Sequence, residues 1–146
     1  AVNAGVYTNV NNCVYSAGFA TTQAAYERAF DALFEELDRL DARLTRRRYL
    51  VGDGLTEADI RLWATLVRFD AVYYGHFKCN LRRIVDYPSL WGYCRDIYQH
   101  PGVAGTVRLD HIKRHYFGSH SHINPTRIVP KGPALDFTEP HGRDAL

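Results

Sequence analysis

The chain has 146 residues, about one domain, and is long enough to bury a real core without disulfide or metal staples. Apolar residues at 46% and charged residues at 23% mark an ordinary globular chain, and a net charge of +2 is too small to argue for nucleic acid or an anionic membrane. Cys13, Cys79 and Cys94 are odd in number and lack CxxC spacing, which excludes a disulfide framework and a zinc ribbon and fits a reducing cytoplasm.

The opening AVNAGVYTNV has neither the basic nor the apolar region of a signal peptide, and no run approaches the ~20 apolar residues of a membrane helix. It begins at Ala1 without Met, so the sequence is open to being a piece of a longer product. NVNNCVYSAGFA predicts a short helix ending at Gly18. From Thr22 to Arg47, Tyr26, Phe30, Leu33, Leu37, Leu40 and Leu44 recur at helical spacing. Glu35, Glu36, Asp38, Arg39 and Arg43 are expected on the solvated face, with Glu35–Arg39 as an i,i+4 pair. Arg46, Arg47 and Arg48 read as a solvated helix end whose charge suits the dipole, with a small anion site as the alternative.

VGDGLTEADIRLW follows. Gly52 and Gly54 make a turn, Thr56 is the expected N-cap, and Asp59 takes the acidic role of a capping box, with Leu55 and Ile60 as a hydrophobic staple. Both Thr56 and Asp59 are read as structural. The helix launched there runs to about Phe77. Trp63, Val67, Asp70 and Tyr74 form one stripe, and Leu62, Leu66, Phe69 and Tyr73 the next, leaving Arg61, Thr65 and Arg68 as a narrow polar strip. So apolar a helix is the central one. Asp70 is expected buried and satisfied by a backbone or tyrosine donor. A third helix covers about 88–99, with Pro88 in its first turn and His100-Pro101-Gly102 as its stop. A fourth runs from about Thr106 to Phe117. Four of the six prolines lie in 125–140, so the tail is irregular, and its Ile123, Ile128 and Val129 would need cover.

The fold expected is therefore all-α: a helical body over 1–117 and an irregular, Pro-rich tail over 118–146 packed on it. No strand signal or phosphate loop competes. His111 and His115 are four apart, a spacing that can chelate metal, but HIKRH lacks the glutamate of a zinc-protease helix. With His120 and His122 they read instead as capping groups and partners of the tail. His76 and Lys78 are assigned no function. Cys79 and Cys94 read as buried thiols.

LTEADIRLW ahead of a central helix resembles the helical C-terminal domain of the glutathione transferase superfamily. VNNCVYSAGFA (10–20), RFDAVYYGHFKCN (68–80), DYPSLWGYCRDIYQHPGV (86–103), DHIKRHYFGSH (110–120) and INPTRIVPKGP (123–133) resemble, in that order, the glutathionyl-hydroquinone reductases, or xi class. The resemblance covers essentially the whole chain. It implies an N-terminal thioredoxin-like domain, absent from this chain, that holds glutathione as co-substrate and a reactive cysteine in a CPWA-type motif. The resemblance also implies homodimer contacts through the helical domain, and a hydroquinone site to which Tyr15, Tyr73 and Tyr116 correspond. No catalytic cysteine can be named here, and no cofactor or metal is expected on this chain. Cys13 stands where the family motif has glycine.

The three tyrosines suit a hydroquinone chemically. The ligand is a flat ring with a hydroxyl at each end, and tyrosine offers a π face and a phenol that donates or accepts. When sulfur leaves an aromatic carbon, that carbon gains a proton, which a positioned phenol such as Tyr116 can donate. Tyr74, about 100° away from Tyr73 on a helix, is assigned to packing. The rival reading is a non-enzymatic helical interaction module. Convergence of the tyrosines on one cavity favours the first, dispersal through the core the second.

Overall fold

The computed structural model describes residues 2–146; Ala1 lies outside them. Among the described residues the regular structure is entirely helical. Helix α1 covers residues 2–18, α-helical over Val2–Gly5 and Asn12–Gly18 with a π-helical stretch, Val6–Asn11, between. Helix α2 is Gln23–Leu44. Helix α3 covers 57–76, α-helical over Glu57–Arg68, π-helical over Phe69–Tyr73, and α-helical again over Tyr74–His76. Helices α4, Pro88–Gln99, and α5, Leu109–Ser119, complete the body. A short 3₁₀ turn precedes each of these two helices, Ile84–Asp86 before α4 and Ala104–Thr106 before α5.

Thr22 starts α2 by accepting from the Ala25 N–H at 3.2 Å. Leu33, Leu37, Leu40 and Leu44 are fully buried along one face, as their spacing predicts. Glu36 is the exception to the expected solvated face: it is buried and held by Arg39 Nε at 2.8 Å, so Arg39 pairs at i,i+3 rather than with Glu35. The first helix is longer than the expected short one, and Val2, Val6, Val10 and Val14, four residues apart, form its inward stripe, the last three fully buried.

Helix α3 begins at a carboxylate hub. Asp59 has no exposed surface and accepts from the Thr56 N–H at 2.8 Å and the Thr56 hydroxyl at 2.6 Å, which is the expected capping box. Its other oxygen accepts from the Leu50 N–H at 2.8 Å and the Tyr93 hydroxyl at 2.9 Å. One side chain therefore joins the helix start, the preceding loop and α4. Ile60 is exposed, so the staple expected with Leu55 is not a buried contact. Thr65, assigned to the polar strip, is buried and accepts from Asn11 Nδ2 at 2.6 Å. Asp70 accepts from the Ile84 and Val85 N–H groups at 2.6 and 3.1 Å, the backbone donors expected of it.

The tail, irregular beyond α5, is tied down by polar contacts at its far end. Arg143, buried, donates to the carbonyls of Leu44 at 3.1 Å, Arg48 at 3.0 Å and Arg47, capping the end of α2. Arg48 holds Asp96 of α4 with two 2.9 Å bonds, which makes it a structural clamp. The tail crosses α4 closely at Gly92, where an added Cβ would lie 2.9 Å from the His141 carbonyl oxygen. Phe137 packs on Trp91 and Tyr98, and Lys113 Nζ donates to the Pro130 and Lys131 carbonyls. Ile123 packs on the core, but Ile128 and Val129 are exposed, against the expectation that they find cover.

Asp59→Ala strips buried donors of their acceptor and is expected to lower unfolding free energy by about 3–5 kcal/mol, whereas Tyr93→Phe, losing one bond to a charged group, costs about 1.5–3. Urea denaturation of both variants checks the order.

Candidate functional site

Three phenols from three helices share one cluster of hydroxyls. Tyr15 Oη of α1 lies 2.6 Å from Tyr116 Oη of α5, and Tyr73 Oη of α3 lies 2.9 Å from the same atom. The third edge, Tyr15 to Tyr73, is 3.4 Å. Tyr73 and Tyr116 are 2% and 6% exposed, while Tyr15 is 40% exposed, so Tyr15 is the member that meets solvent. A hollow of about 290 Å³ opens over the hydroxyls, and Asn11, Ala64, Thr65 and Arg68 complete its lining.

One buried ring sets this geometry. Phe77 stacks on Tyr73 at 5.4 Å between centroids and meets Tyr15 and Tyr116 edge-on at 5.5 and 5.9 Å. Gly18, three residues past Tyr15, lies against that ring. A Cβ there would sit 2.2 Å from Phe77 Cδ1, so only glycine lets α1 come close enough. Both π-helical stretches abut the hollow: Asn11 closes the first and Tyr73 the second. Each widens its helix locally and changes which side chains face the hollow, a common use of π-bulges at functional sites.

Protons and lone pairs can be counted. Three hydroxyls carry three protons and six lone pairs. A closed triangle uses every proton once and leaves a lone pair on each oxygen, so the cluster accepts from a ligand hydroxyl without rearranging. It donates only when one O–H turns outward. Burial, then the bonds to Tyr116 and Tyr15, hold the Tyr73 phenol well above its ordinary pKa. Burial and the bond to Tyr15 push Tyr116 up to about 12, against an opposing pull from Tyr73 and the Arg68 charge. Both phenols are protonated at neutral pH, so neither stands as a phenolate base.

The family model for the C-terminal domain of glutathione S-transferases matches residues 23–96, half of the chain. The chain belongs to the glutathione S-transferase family. This transferase domain is 59% identical over 143 residues to glutathionyl-hydroquinone reductase YqjG of Escherichia coli, covering 98% of this chain and 44% of that protein. It is 62% identical over 133 residues to glutathionyl-hydroquinone reductase PcpF of Sphingobium chlorophenolicum, covering 91% and 42%. The glutathione-bound structure of YqjG superposes with a TM-score of 0.96, covering 99% of this chain and 47% of that one. The xi-class transferase of Natrialba magadii, 51% identical, gives 0.97 with 99% and 44% covered. The chain thus spans less than half the length of the curated relatives it matches.

Within the transferase domain, all three tyrosines singled out from sequence meet at the hollow, while Tyr74 is half-buried and packs on the core. Thr56 and Asp59 lie at the start of α3 as a capping box. Sequence reasoning missed Phe77, although its position four residues after Tyr73 was a helical spacing open to notice. It also missed the polar rim of Asn11 and Arg68. The thiols are not activated: burial raises Cys13, pushes Cys79 up to about 12 and raises Cys94, the direction opposite to a reactive thiolate. Among the described residues no three His, Cys, Asp or Glu side chains are grouped to hold a metal, and His111 faces Asp110 at 3.6 Å. No helix among them is long and apolar enough to cross a membrane.

A histidine pair flanks the tyrosines. His76 Nε2 and His120 Nδ1 are 3.1 Å apart, and the His120 ring meets Tyr116 and Phe77 at 5.6 and 5.9 Å. His76 is buried, and its pKa falls from 6.5 to about 4, chiefly by burial and then by the neighbouring His120, Lys78 and His122. Between those two values the unfolded chain binds a proton at this site and the folded chain does not. Stability therefore falls as pH drops from about 6.5 to about 4, by up to about 3 kcal/mol. Unfolding free energies across that window should show the slope in the parent and a shallower one in His76→Phe.

Proposed function

We propose that this chain is the aromatic-substrate half of a glutathionyl-hydroquinone reductase, whose hydroxyl triangle receives a hydroquinone oxygen and delivers a proton to the ring. One observation carries the reading: three phenols from separate helices meet at one open hollow with two of them held in the neutral, proton-bearing form. The names of YqjG and PcpF point to the same chemistry.

In the whole protein a cysteine thiolate, on a glutathione-binding domain outside this chain, attacks the sulfur of the glutathionyl substituent. The carbon–sulfur bond breaks, an enzyme–glutathione disulfide forms, and the ring carbon takes a proton. A second glutathione thiolate then releases oxidised glutathione and restores the cysteine. Tyr15, the exposed phenol, touches the substrate, and Tyr116, bonded to both other hydroxyls, passes the proton through it. The second wall of the hollow is the missing domain, and helical domains of two copies pair as a homodimer in a reducing cytoplasm.

The intact gene product containing this chain should convert a glutathionyl-hydroquinone and glutathione to hydroquinone and oxidised glutathione, followed by chromatography. Tyr15→Phe and Tyr116→Phe should each slow turnover about 10²-fold or more, and the 146-residue chain alone should show none. Full activity in both phenylalanine variants, or an inert intact product, would sink the proposal.

A further inference from the structure

Arg68 stands at the junction of the α-helical and π-helical parts of α3, on the rim of the hollow over the three phenols. It is half-buried. Its only hydrogen bond among the described residues runs from Nη1 to the Ala64 carbonyl at 2.5 Å, which leaves four of its five N–H donors uncommitted. Arg39, Arg48, Arg61, Arg82, Arg83 and Arg95 each lie against a carboxylate. Arg68, like Arg28, Arg43, Arg46, Arg47 and Arg108, has none within ion-pair distance among the described residues, and of these it is the one that lines this hollow.

The other polar group of the rim is already occupied. Asn11 Nδ2 donates to Thr65 Oγ1 at 2.6 Å and to the Arg61 carbonyl at 3.0 Å. The lining of the hollow therefore carries two unlike polar groups: a set of phenol hydroxyls, and one guanidinium with no carboxylate against it. A guanidinium that is partly withdrawn from water, with free donors and no counter-charge, is suited to an anionic oxygen, because charge-assisted bonds of this kind are about twice as strong as neutral ones. Arg68 and the three phenols line the same hollow of about 290 Å³.

We propose that Arg68 holds the anionic oxygen of the aromatic substrate and so selects phenols that ionise readily over neutral rings of the same shape. The inference rests on the reading of the hollow as an aromatic-alcohol site and adds the charge state of the ligand. Arg68 acts on specificity. Proton delivery stays with the tyrosines.

The test uses the intact gene product and two rings of matched shape. 4-Nitrophenol ionises near neutrality and its phenolate absorbs visible light, so its pKa when bound is read directly; 4-nitroaniline is the neutral counterpart. The bound nitrophenol should ionise about one pH unit below the free compound, equivalent to phenolate binding about tenfold tighter than phenol. Arg68→Lys should keep most of that shift. Arg68→Met and Arg68→Gln should abolish it while 4-nitroaniline binds as before, and circular dichroism of all three variants should match the parent. A shift that survives in both neutral variants overturns the proposal, since the tyrosines alone would then account for it. Absence of any shift in the parent, with 4-nitroaniline bound and displaced by hydroquinone, also overturns it and leaves the aromatic site standing. Failure of either ring to bind at all overturns both readings.

Discussion

A carboxylate with no exposed surface must be matched by donors, and Asp59 is matched from three segments at once: Thr56 at the helix start, Leu50 in the loop before it, and Tyr93 on α4. An isolated buried charge would cost several kcal/mol, so these donors have little freedom to be elsewhere. The consequence is geometric. The first residue of α3 is fixed relative to α4, and so is the rotation of every side chain that follows along α3. Tyr93 in turn packs beneath the Arg143 guanidinium, 5.9 Å from its ring, which links the same hub to the tail. The tail then caps α2 at the Leu44 carbonyl and holds the loop after it at the Arg47 and Arg48 carbonyls. The scaffold is thus held by a chain of linked buried polar groups around an apolar core.

The hollow lies away from that hub, toward the other end of α3, and is built by different means. The π-helical stretches in α1 and α3 place Asn11 and Tyr73 where an unbroken α-helix would not. The close approach at Gly18 sets α1 against Phe77, and Phe77 touches all three phenols. The aromatic contacts continue through His120 to His76. Ring packing of this kind is dense and tolerates little change of volume. A rigid hub at one end of α3 and close-packed rings at the other leave the hydroxyls as the part of the site with freedom to reorient.

Much of this was legible in local sequence. The leucines of α2, the capping box at Thr56 and Asp59, and the proline and glycine signals bounding α4 all act within a turn or two of themselves. That Tyr15, Tyr73 and Tyr116 belong together was suggested only by a family resemblance, since ten tyrosines offer no local mark that separates these three from the rest. What sequence could not show is long-range or aperiodic. Arg143 reaches carbonyls more than ninety positions away, and His76 and His120 are 44 apart. The four-residue spacing of Val2, Val6, Val10 and Val14 was a legible mark of the length of α1, whereas nothing in the apolar spacing of α3 marks its π-helical stretch. Glu36 was read as solvated from its charge, although its spacing, three residues after Leu33 and four before Leu40, puts it on the buried stripe, where Arg39 partners it.

A polar site at the edge of a core raises the question of how it stays folded with no ligand present, since buried hydroxyls without partners are costly. Here the phenols satisfy one another, and the three edges of the triangle are unequal. The bonds of Tyr116 to Tyr15 and Tyr73, at 2.6 and 2.9 Å, are within the good range for hydroxyls, whereas the 3.4 Å edge between Tyr15 and Tyr73 lies beyond it. Opening the long edge costs least and keeps both bonds to Tyr116. A ligand oxygen entering there replaces a weak contact with two bonds, to Tyr15 and to Tyr73, and leaves Tyr116 as the shared relay between them. The long edge of the cluster thus includes Tyr15, the only one of the three phenols that is exposed.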